Sequence, residues 1–207
     1  MTAKKSKGAG RPIGSSREAS LARILPAARK LFADRGYSKT TFKDVGREVG
    51  MTHAALYAYF PSKAALYLAT TDHAQGLLQP EYLTAIEEGG SLKGRLRRIL
   101  VVSAQAHDRD SSITGLLAAI PLEIRRHPEL AELMLNQQNS TFALLAEVFA
   151  EAQRSGEINS KSSPEDLVVA IMGAGVGIAM FQYGLQRSSL IDSMEVFIDL
   201  IEARLFS

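Results

Sequence analysis

The chain has 207 residues, of which 46% are hydrophobic, so it can bury a substantial core and global disorder is excluded. It contains no cysteine, which excludes disulfides and thiolate metal sites and fits a reducing cytoplasm. The sequence shows neither the apolar core of a signal peptide nor an apolar run close to the ~20 residues of a membrane span. We therefore expect a cytoplasmic protein without a membrane partner.

The net charge of +2 conceals an uneven distribution of charge along the chain. Residues 1–63 carry thirteen Lys or Arg against four acids, whereas the remainder carries eleven against eighteen. A basic N-terminal third joined to an acidic body is typical of a phosphate-binding module attached to a domain that does not bind DNA. A solvated basic face with a disordered tail is the alternative interpretation.

The first sixteen residues are rich in Lys, Gly and Ser and contain almost nothing apolar, so we expect a disordered basic arm over residues 1–16. Arg11, between Gly10 and Pro12, is a candidate contact to the minor groove of DNA, as in other basic arms. A plain solubilising tail explains the same composition.

A first helix is predicted from about Arg17 to Asp34 by apolar residues at helical spacing. Pro26 lies inside that pattern and predicts either a helix start close to it or a kink, because proline removes one backbone hydrogen bond. Gly36 is expected to end this helix.

The next stretch reads as two short helices joined by a glycine turn. Thr41 and Asp44 have the spacing of a capping box, and Gly50 stands where a helix ends with positive φ. Thr52 is a second N-cap, followed by the buried-face residue Leu56 on a helix expected to span Thr52 to Tyr59. This layout is that of a DNA-reading helix-turn-helix.

The remainder of the chain is predicted to be helical throughout, with no strand and no internal repeat. Further helices are expected at 62–78, 92–107, 112–126, 129–154, 164–185 and 191–205, with Pro80 ending or bending the first of them. The predicted fold class is therefore all-α, with a three-helix DNA-binding domain over residues 17–77 and a larger helical domain over residues 78–207.

The spacing of many residues between 17 and 77 resembles that of the TetR family of bacterial transcriptional regulators. The matching residues are Phe32, Gly36, Tyr37, Thr41, Val45, Gly50, Leu56, Tyr57, Tyr59, Phe60, Lys63 and Leu66. The sequence departs from the family at Pro26, at Gly46, where alanine is common, and at His53, where lysine is frequent. The resemblance implies a homodimer on a palindromic double-stranded operator, with a cavity for a small-molecule effector in the C-terminal domain.

Side chains off the buried stripe of the second short helix are candidates for contact with DNA. The candidate DNA-binding residues are Thr41, Thr52, His53, Ala54, Ala55, Tyr57, Tyr59 and Lys63, with Arg11 from the arm. We expect Lys63 to clamp a phosphate without affecting the fold. The alternative for Tyr57 and Tyr59 is packing within the small domain.

Small residues at helical spacing, which allow two helices to approach closely, indicate a dimer interface together with the last helix. The candidate interface residues are Ala170, Gly173, Ala174, Gly177, Phe197, Ile201 and Leu205. Packing within one subunit is the alternative. For the effector, the candidates are polar, aromatic or Met residues of the helical body: Gln105, His107, Glu123, Asn139, Met172, Phe181 and Gln182.

Catalytic and metal chemistry find little support. The sequence has no G-x-S-x-G elbow, no HExxH and no phosphate-binding loop, and only four histidines without cysteine. We therefore expect no enzyme activity, no metal and no cofactor. The favoured function is a ligand-released transcriptional repressor. The alternatives are a helical small-molecule or lipid-binding protein with a structural N-terminal domain, and a nonspecific architectural DNA-binding protein.

Overall fold

A computed structural model describes residues 17–135, 140–185 and 189–205, and within these ranges the chain forms ten α-helices and no strand. The helices are α1 Arg17–Lys39, α2 Phe42–Val49, α3 His53–Tyr57, α4 Lys63–Glu87, α5 Leu92–Arg109, α6 Ser111–Arg126, α7 Pro128–Leu135, α8 Ser140–Ser155, α9 Pro164–Leu185 and α10 Leu190–Leu205. The prediction of an all-α fold with an N-terminal helix-turn-helix and a larger C-terminal helical domain is confirmed. The predicted arm over residues 1–16, with Arg11, lies outside the described residues.

Two prolines lie inside helices where the sequence predicts a helix boundary or a bend. Pro26 lies inside α1, and the only non-helical backbone angles in that helix are those of Gly36, at φ 76° and ψ 172°. Pro80 likewise lies inside α4, which continues to Glu87 and crosses the predicted domain boundary near Leu77. Neither proline ends its helix, so the flanking hydrogen bonds and packing outweigh the one backbone bond that each proline removes.

Two further boundaries differ from those expected. The helix predicted from Thr52 to Tyr59 is shorter, because α3 ends at Tyr57 and the chain then turns toward Phe60. The single helix predicted over 129–154 is described as α7 and α8, and residues 136–139 between them lie outside the described part of the chain.

The α2–α3 turn forms as the sequence predicts, from local caps. The Asp44 amide donates to Thr41 Oγ1 at 3.2 Å, and the Thr41 amide donates back to Asp44 Oδ2 at 3.0 Å. Gly50 adopts the left-handed conformation at φ 66°. Position 46 requires glycine because a Cβ there would stand only 2.6 Å from the carbonyl oxygen of Met51.

The core of the N-terminal helices extends into the body of the protein. Leu56, the buried residue of α3, joins a cluster in which Phe32 and Tyr67 meet edge to face with ring centroids 5.0 Å apart. The same cluster includes Ile113 and Leu116 of α6. Hence α1 packs directly on α6, and helices α2 and α3 share one apolar core with the C-terminal domain.

Polar contacts fasten α1 to both ends of α6. Arg29, which is 4% exposed, donates to Ser112 Oγ at 3.0 Å and pairs with Asp110 Oδ2 at 2.5 Å, at the start of α6. At the other end, the Tyr37 amide donates to Glu123 Oε1 at 3.2 Å, and Ser38 Oγ lies 3.0 Å from His127 Nε2. We call these two groups of contacts the α1–α6 clamps.

The clamp at Asp110 should make stability dependent on pH. Burial raises the pKa of Asp110, but hydrogen bonds from Ser112 and Arg29 outweigh it and hold the pKa below its usual value. A lowered pKa in the folded state gives stability that is present above about pH 4 and is lost as the pH falls below it. Asp110→Asn, which can still cap α6, should lower the free energy of unfolding near neutral pH by about 2 kcal/mol, because it leaves Arg29 buried without its carboxylate.

Urea unfolding followed by circular dichroism from about pH 7 to about pH 3 measures this difference, which should shrink toward acid. The matched control is Glu147→Gln, since the Glu147–Arg154 pair at 2.7 Å is mostly exposed and should contribute almost nothing. Equal stability of wild type and Asp110→Asn near neutral pH would show that the ion pair does not hold α1 to α6.

Candidate nucleic-acid interface and effector cavity

The exposed edge of α3 presents polar and aromatic groups on a fixed support. Thr52, His53 and Ala54 are exposed, and Thr52 also caps α3 by accepting from the Ala55 amide at 3.1 Å. Tyr57 is 49% exposed, and its ring centroid lies 4.6 Å from that of Phe42. The phenol is therefore held by packing while about half of its surface stays available for a partner.

Two of the predicted DNA-contact residues are less exposed to solvent than Tyr57. Ala55 is half-buried, and so is Tyr59, which packs against the core. The guanidinium of Arg17 lies 5.3 Å from the centroid of the Tyr59 ring, a cation–π contact. For Tyr59 the geometry favours the packing alternative, whereas Tyr57 keeps the exposure that a DNA contact requires.

Thr41 is exposed but already occupied by the capping box. Its hydroxyl donates to Asp44 Oδ2 at 2.5 Å. The hydrogen bond from Thr41 is the largest cause that lowers the pKa of Asp44, with Arg35 and Arg47 adding to it. An ionised carboxylate at this helix start would repel a phosphate, whereas Lys43 and Arg47 of α2 are exposed cations that the sequence-based candidates did not include. Their signal was the spacing of the two basic residues of α2, which are four positions apart and so share one face of the helix.

Lys63 has a structural role that the sequence did not reveal. Its ammonium donates to the carbonyl oxygens of Tyr37 at 2.9 Å and of Ser38 at 3.3 Å, and it lies 4.2 Å from the centroid of the Tyr37 ring. These contacts fasten the start of α4 to the end of α1. Lys63 therefore also supports the fold, and its contact with a phosphate stays a prediction.

A cavity of about 130 Å³ lies in the C-terminal domain between α4, α5, α6, α8, α9 and α10. Leucine, isoleucine, valine, methionine, alanine and phenylalanine form most of its wall, together with Gly175. The residues with polar side chains that line it are Tyr82, Ser103 and Thr114. Tyr82 Oη and Ser103 Oγ are 2.7 Å apart.

Of the predicted effector contacts, Met172 alone among the described residues lines this cavity. Glu123 is instead buried in the α1–α6 clamp, Gln105 is exposed, and Phe181 is 70% exposed. His107 and Gln182 line a separate polar pocket with Lys30, and Asn139 lies outside the described residues. The prediction selected polar residue types, whereas the cavity is lined by ordinary core residues whose spacing carries no separate signal.

The strip of small residues on α9 faces away from the protomer. Ala170 and Gly173 are exposed, and Ala174 and Gly177 are half-buried. Apart from adjacent residues and the nearby backbone of α9 itself, no atom lies within 4 Å of where a Cβ would stand at Gly173 or Gly177. On α10, Phe197 and Ile201 are half-buried, and the side chain of Leu205 lies outside the described part. Exposed apolar side chains continue this surface, which we call the α9–α10 face: Val169, Met172, Val176, Met180, Phe181, Leu185, Val196 and Leu200.

The helix α9 also corrects an expectation about membranes. By length and composition alone its 22 residues, Pro164–Leu185, are long and apolar enough to cross a bilayer, and little of the helix is buried in the protomer. The sequence-based statement that no segment approaches that length was therefore wrong. Length and composition do not distinguish a membrane span from an apolar helix that is covered by another protein chain.

Comparison with known proteins agrees with this arrangement. The family model of bacterial regulatory proteins of the tetR family matches residues 24–70, which contain the end of α1 and all of the helix-turn-helix. The HTH-type transcriptional regulator UidR of Escherichia coli K12 is 25% identical over 137 residues, 66% of this chain and 68% of the relative.

Solved structures extend the similarity to the C-terminal domain. A transcriptional regulator from Saccharomonospora viridis in complex with choline superposes with a TM-score of 0.75 at 19% identity, over 92% of this chain and all of that one. The regulator FadR from Bacillus subtilis in complex with stearoyl-CoA gives a TM-score of 0.71 at 18% identity, over 87% of this chain and 96% of that one. At these identities the likeness establishes the fold.

UidR is a transcriptional regulator, and the residues that the family model matches contain α3 with its exposed edge. The chain is a DNA-binding transcriptional regulator with the helix-turn-helix of the tetR family of bacterial regulatory proteins.

Proposed function

We propose that this regulator binds a palindromic operator as a homodimer and that an effector in the C-terminal cavity releases it from DNA. The observation that carries the proposal is the position of α6. Ile113 and Leu117 of this helix line the cavity, while its two ends hold α1 through Asp110 and Glu123. Occupancy of the cavity and placement of the reading helix thus depend on one helix.

The α9–α10 face supports the homodimer. Its exposed apolar side chains run along a 22-residue helix, and isolated monomers seldom leave so much contiguous apolar surface in water. The open space at Gly173 and Gly177 permits two helix backbones to approach closely. A second copy of the chain supplies a matching face by symmetry, which gives a four-helix interface.

Two copies are also what the short reading helix requires. A five-residue α3 reaches only a few base pairs, so useful specificity needs two such helices on half-sites about 34 Å apart. A homodimer places them symmetrically, which fits a palindromic operator.

Effector release follows as a shift between two arrangements of α6. A ligand that packs best against one placement of Ile113 and Leu117 favours the placement of α1 that accompanies it. Only a ligand with different affinities for the two arrangements can change operator affinity. The complexes of similar folds with choline and with stearoyl-CoA support a ligand-controlled regulator.

The DNA-reading role of Tyr57 can be tested by removing one atom. Tyr57→Phe keeps the ring on Phe42 but removes the hydroxyl, so the dissociation constant for the operator should rise about tenfold, since a hydrogen bond to a charged phosphate contributes ~1.5 kcal/mol. The operator is the duplex of highest affinity selected from random sequences, and binding is measured by fluorescence anisotropy.

The matched control is Tyr59→Phe, which should change operator affinity less than about twofold because that ring packs against the core. Wild-type protein should prefer the selected duplex over a scrambled one by about 10³-fold or more. Equal and salt-sensitive binding of the wild type to the two duplexes would favour an architectural protein. Operator binding by Tyr57→Phe that equals that of the wild type would contradict the role assigned to the Tyr57 hydroxyl.

The homodimer can be tested by replacing an exposed glycine of α9 whose new side chain would clash only with a second subunit. The Cβ of Gly173→Leu meets no atom within 4 Å from any part of the protomer other than the adjacent residues and nearby backbone of α9, and replacing a mid-helix glycine should stabilise α9 by up to ~1 kcal/mol. Light scattering should nevertheless fall from about twice the 22.4 kDa of one chain to a single chain.

The control is Gly76→Leu on α4, where the space around the Cβ position is equally open but the surface lies off the α9–α10 face. This variant should remain dimeric. A wild-type mass of one chain, or an unchanged dimer in Gly173→Leu, would contradict the proposed interface.

A further inference from the structure

The composition of the cavity wall restricts what can occupy it. Among the described residues that line the cavity, none is Lys, Arg, His, Asp or Glu. A carboxylate, phosphate or ammonium placed inside would lose its hydration without gaining a partner of opposite charge, which is strongly unfavourable. An occupant therefore has to be uncharged within the cavity.

Size sets a second restriction. At about 130 Å³ the cavity is slightly smaller than an engineered apolar protein cavity of ~150 Å³ that binds benzene. The enclosed part of a ligand is therefore about six or seven non-hydrogen atoms. The wall of branched aliphatic side chains favours an apolar group of that size.

The hydrogen bonds of the Tyr82–Ser103 pair then indicate a polar group that fits beside it. Ser103 Oγ donates its one hydrogen to the Ile99 carbonyl oxygen at 2.9 Å. The 2.7 Å contact between Ser103 and Tyr82 must therefore use the hydrogen of the Tyr82 hydroxyl. Because burial raises the pKa of Tyr82, the phenol keeps this proton at neutral pH. Tyr82 Oη retains acceptor capacity toward a ligand.

We infer that the cavity binds an uncharged, predominantly apolar molecule with a hydroxyl group, whose O–H donates to Tyr82 Oη. This inference rests on the proposed function in taking the cavity as the effector site. It excludes a free fatty acid or an acyl-CoA bound with its charged group inside the cavity. A longer apolar molecule would place only its hydroxyl-bearing portion there.

Three six-carbon probes, which share a chain and differ in one group, separate the possibilities: 1-hexanol, 2-hexanone and sodium hexanoate at about pH 8, where the acid is ionised. Binding is read on free protein by NMR of ¹³C-methyl methionine. Met172 and Met194 line the cavity, whereas Met51 lies in the helix-turn-helix and Met180 on the α9–α10 face.

The expected result is a saturable shift of the Met194 methyl signal by 1-hexanol, with Met51 unmoved. Met180 reports adsorption to the exposed face and should also stay unmoved. Hexanoate should bind at least about tenfold more weakly than 1-hexanol, because its carboxylate finds no partner. Equal or tighter binding of hexanoate, or no shift of Met194 by any probe, would overturn the inference.

The Tyr82 hydroxyl is tested by Tyr82→Phe, which preserves the ring. The dissociation constant for 1-hexanol should rise about fivefold, whereas that for 2-hexanone, which has no O–H to donate, should change less than about twofold. Unchanged affinity for 1-hexanol would overturn the role of Tyr82. Ala179→Leu, which fills the cavity from α9, should abolish binding of both probes, with thermal melting as the check on folding. Leu117→Phe serves the same purpose from α6 should the first variant fail to fold.

These outcomes are independent of operator release because no DNA is present in the binding measurement. A second titration with the selected operator then tests the proposed function. Binding of 1-hexanol at Met194 without any change in operator affinity would contradict effector release and would leave the ligand class standing. Operator release by a charged compound that occupies the cavity would contradict the ligand class and leave effector release standing.

Discussion

The buried ion pair between Arg29 and Asp110 is the contact on which the relation between the two halves of the protein depends. Arg29 is 4% exposed, and its Nη1 has no hydrogen-bond partner in the described part of the chain, so the charge is compensated mainly by Asp110 and Ser112. A buried guanidinium without its carboxylate is strongly destabilising. Since Asp110 also caps α6, the same side chain sets where that helix begins and where α1 lies against it.

The second clamp completes the connection at the far end of α6. Glu123 accepts a hydrogen bond from the Tyr37 amide, and the Lys63 ammonium donates one to the Tyr37 carbonyl oxygen. The end of α1 is therefore fastened to both α6 and α4. Between the clamps, Leu117 faces the cavity. Pro121 has no amide hydrogen to donate to the Leu117 carbonyl, so the hydrogen-bond ladder of α6 lacks one bond there. The helix is thus least reinforced between the cavity wall and the Glu123 clamp, where a ligand-driven change would have to pass.

Local signals explain why the helix-turn-helix could be predicted from sequence. The Thr41–Asp44 capping box and the left-handed Gly50 depend on residues within one or two turns, and the structure reproduces both. The contacts of Lys63 and Glu123 could not be predicted, because their shared partner Tyr37 is 26 and 86 residues away in the sequence. The residues that line the cavity could not be predicted for a related reason. Leucines and alanines that line a void have the same sequence pattern as those that fill a core, so only the packed structure distinguishes them.

The central claim is that α6 links the cavity to the spacing of the two reading helices. Because the chain has no cysteine, Glu48→Cys places a single nitroxide label on α2, at an exposed acidic position that is not among the candidate DNA contacts. Double electron–electron resonance then measures the distance between the labels of the two subunits. With operator bound, we expect a narrow distribution consistent with half-sites about 34 Å apart, and saturation with a cavity ligand should move the mean by a few ångströms. Identical distributions in the two states would contradict the account.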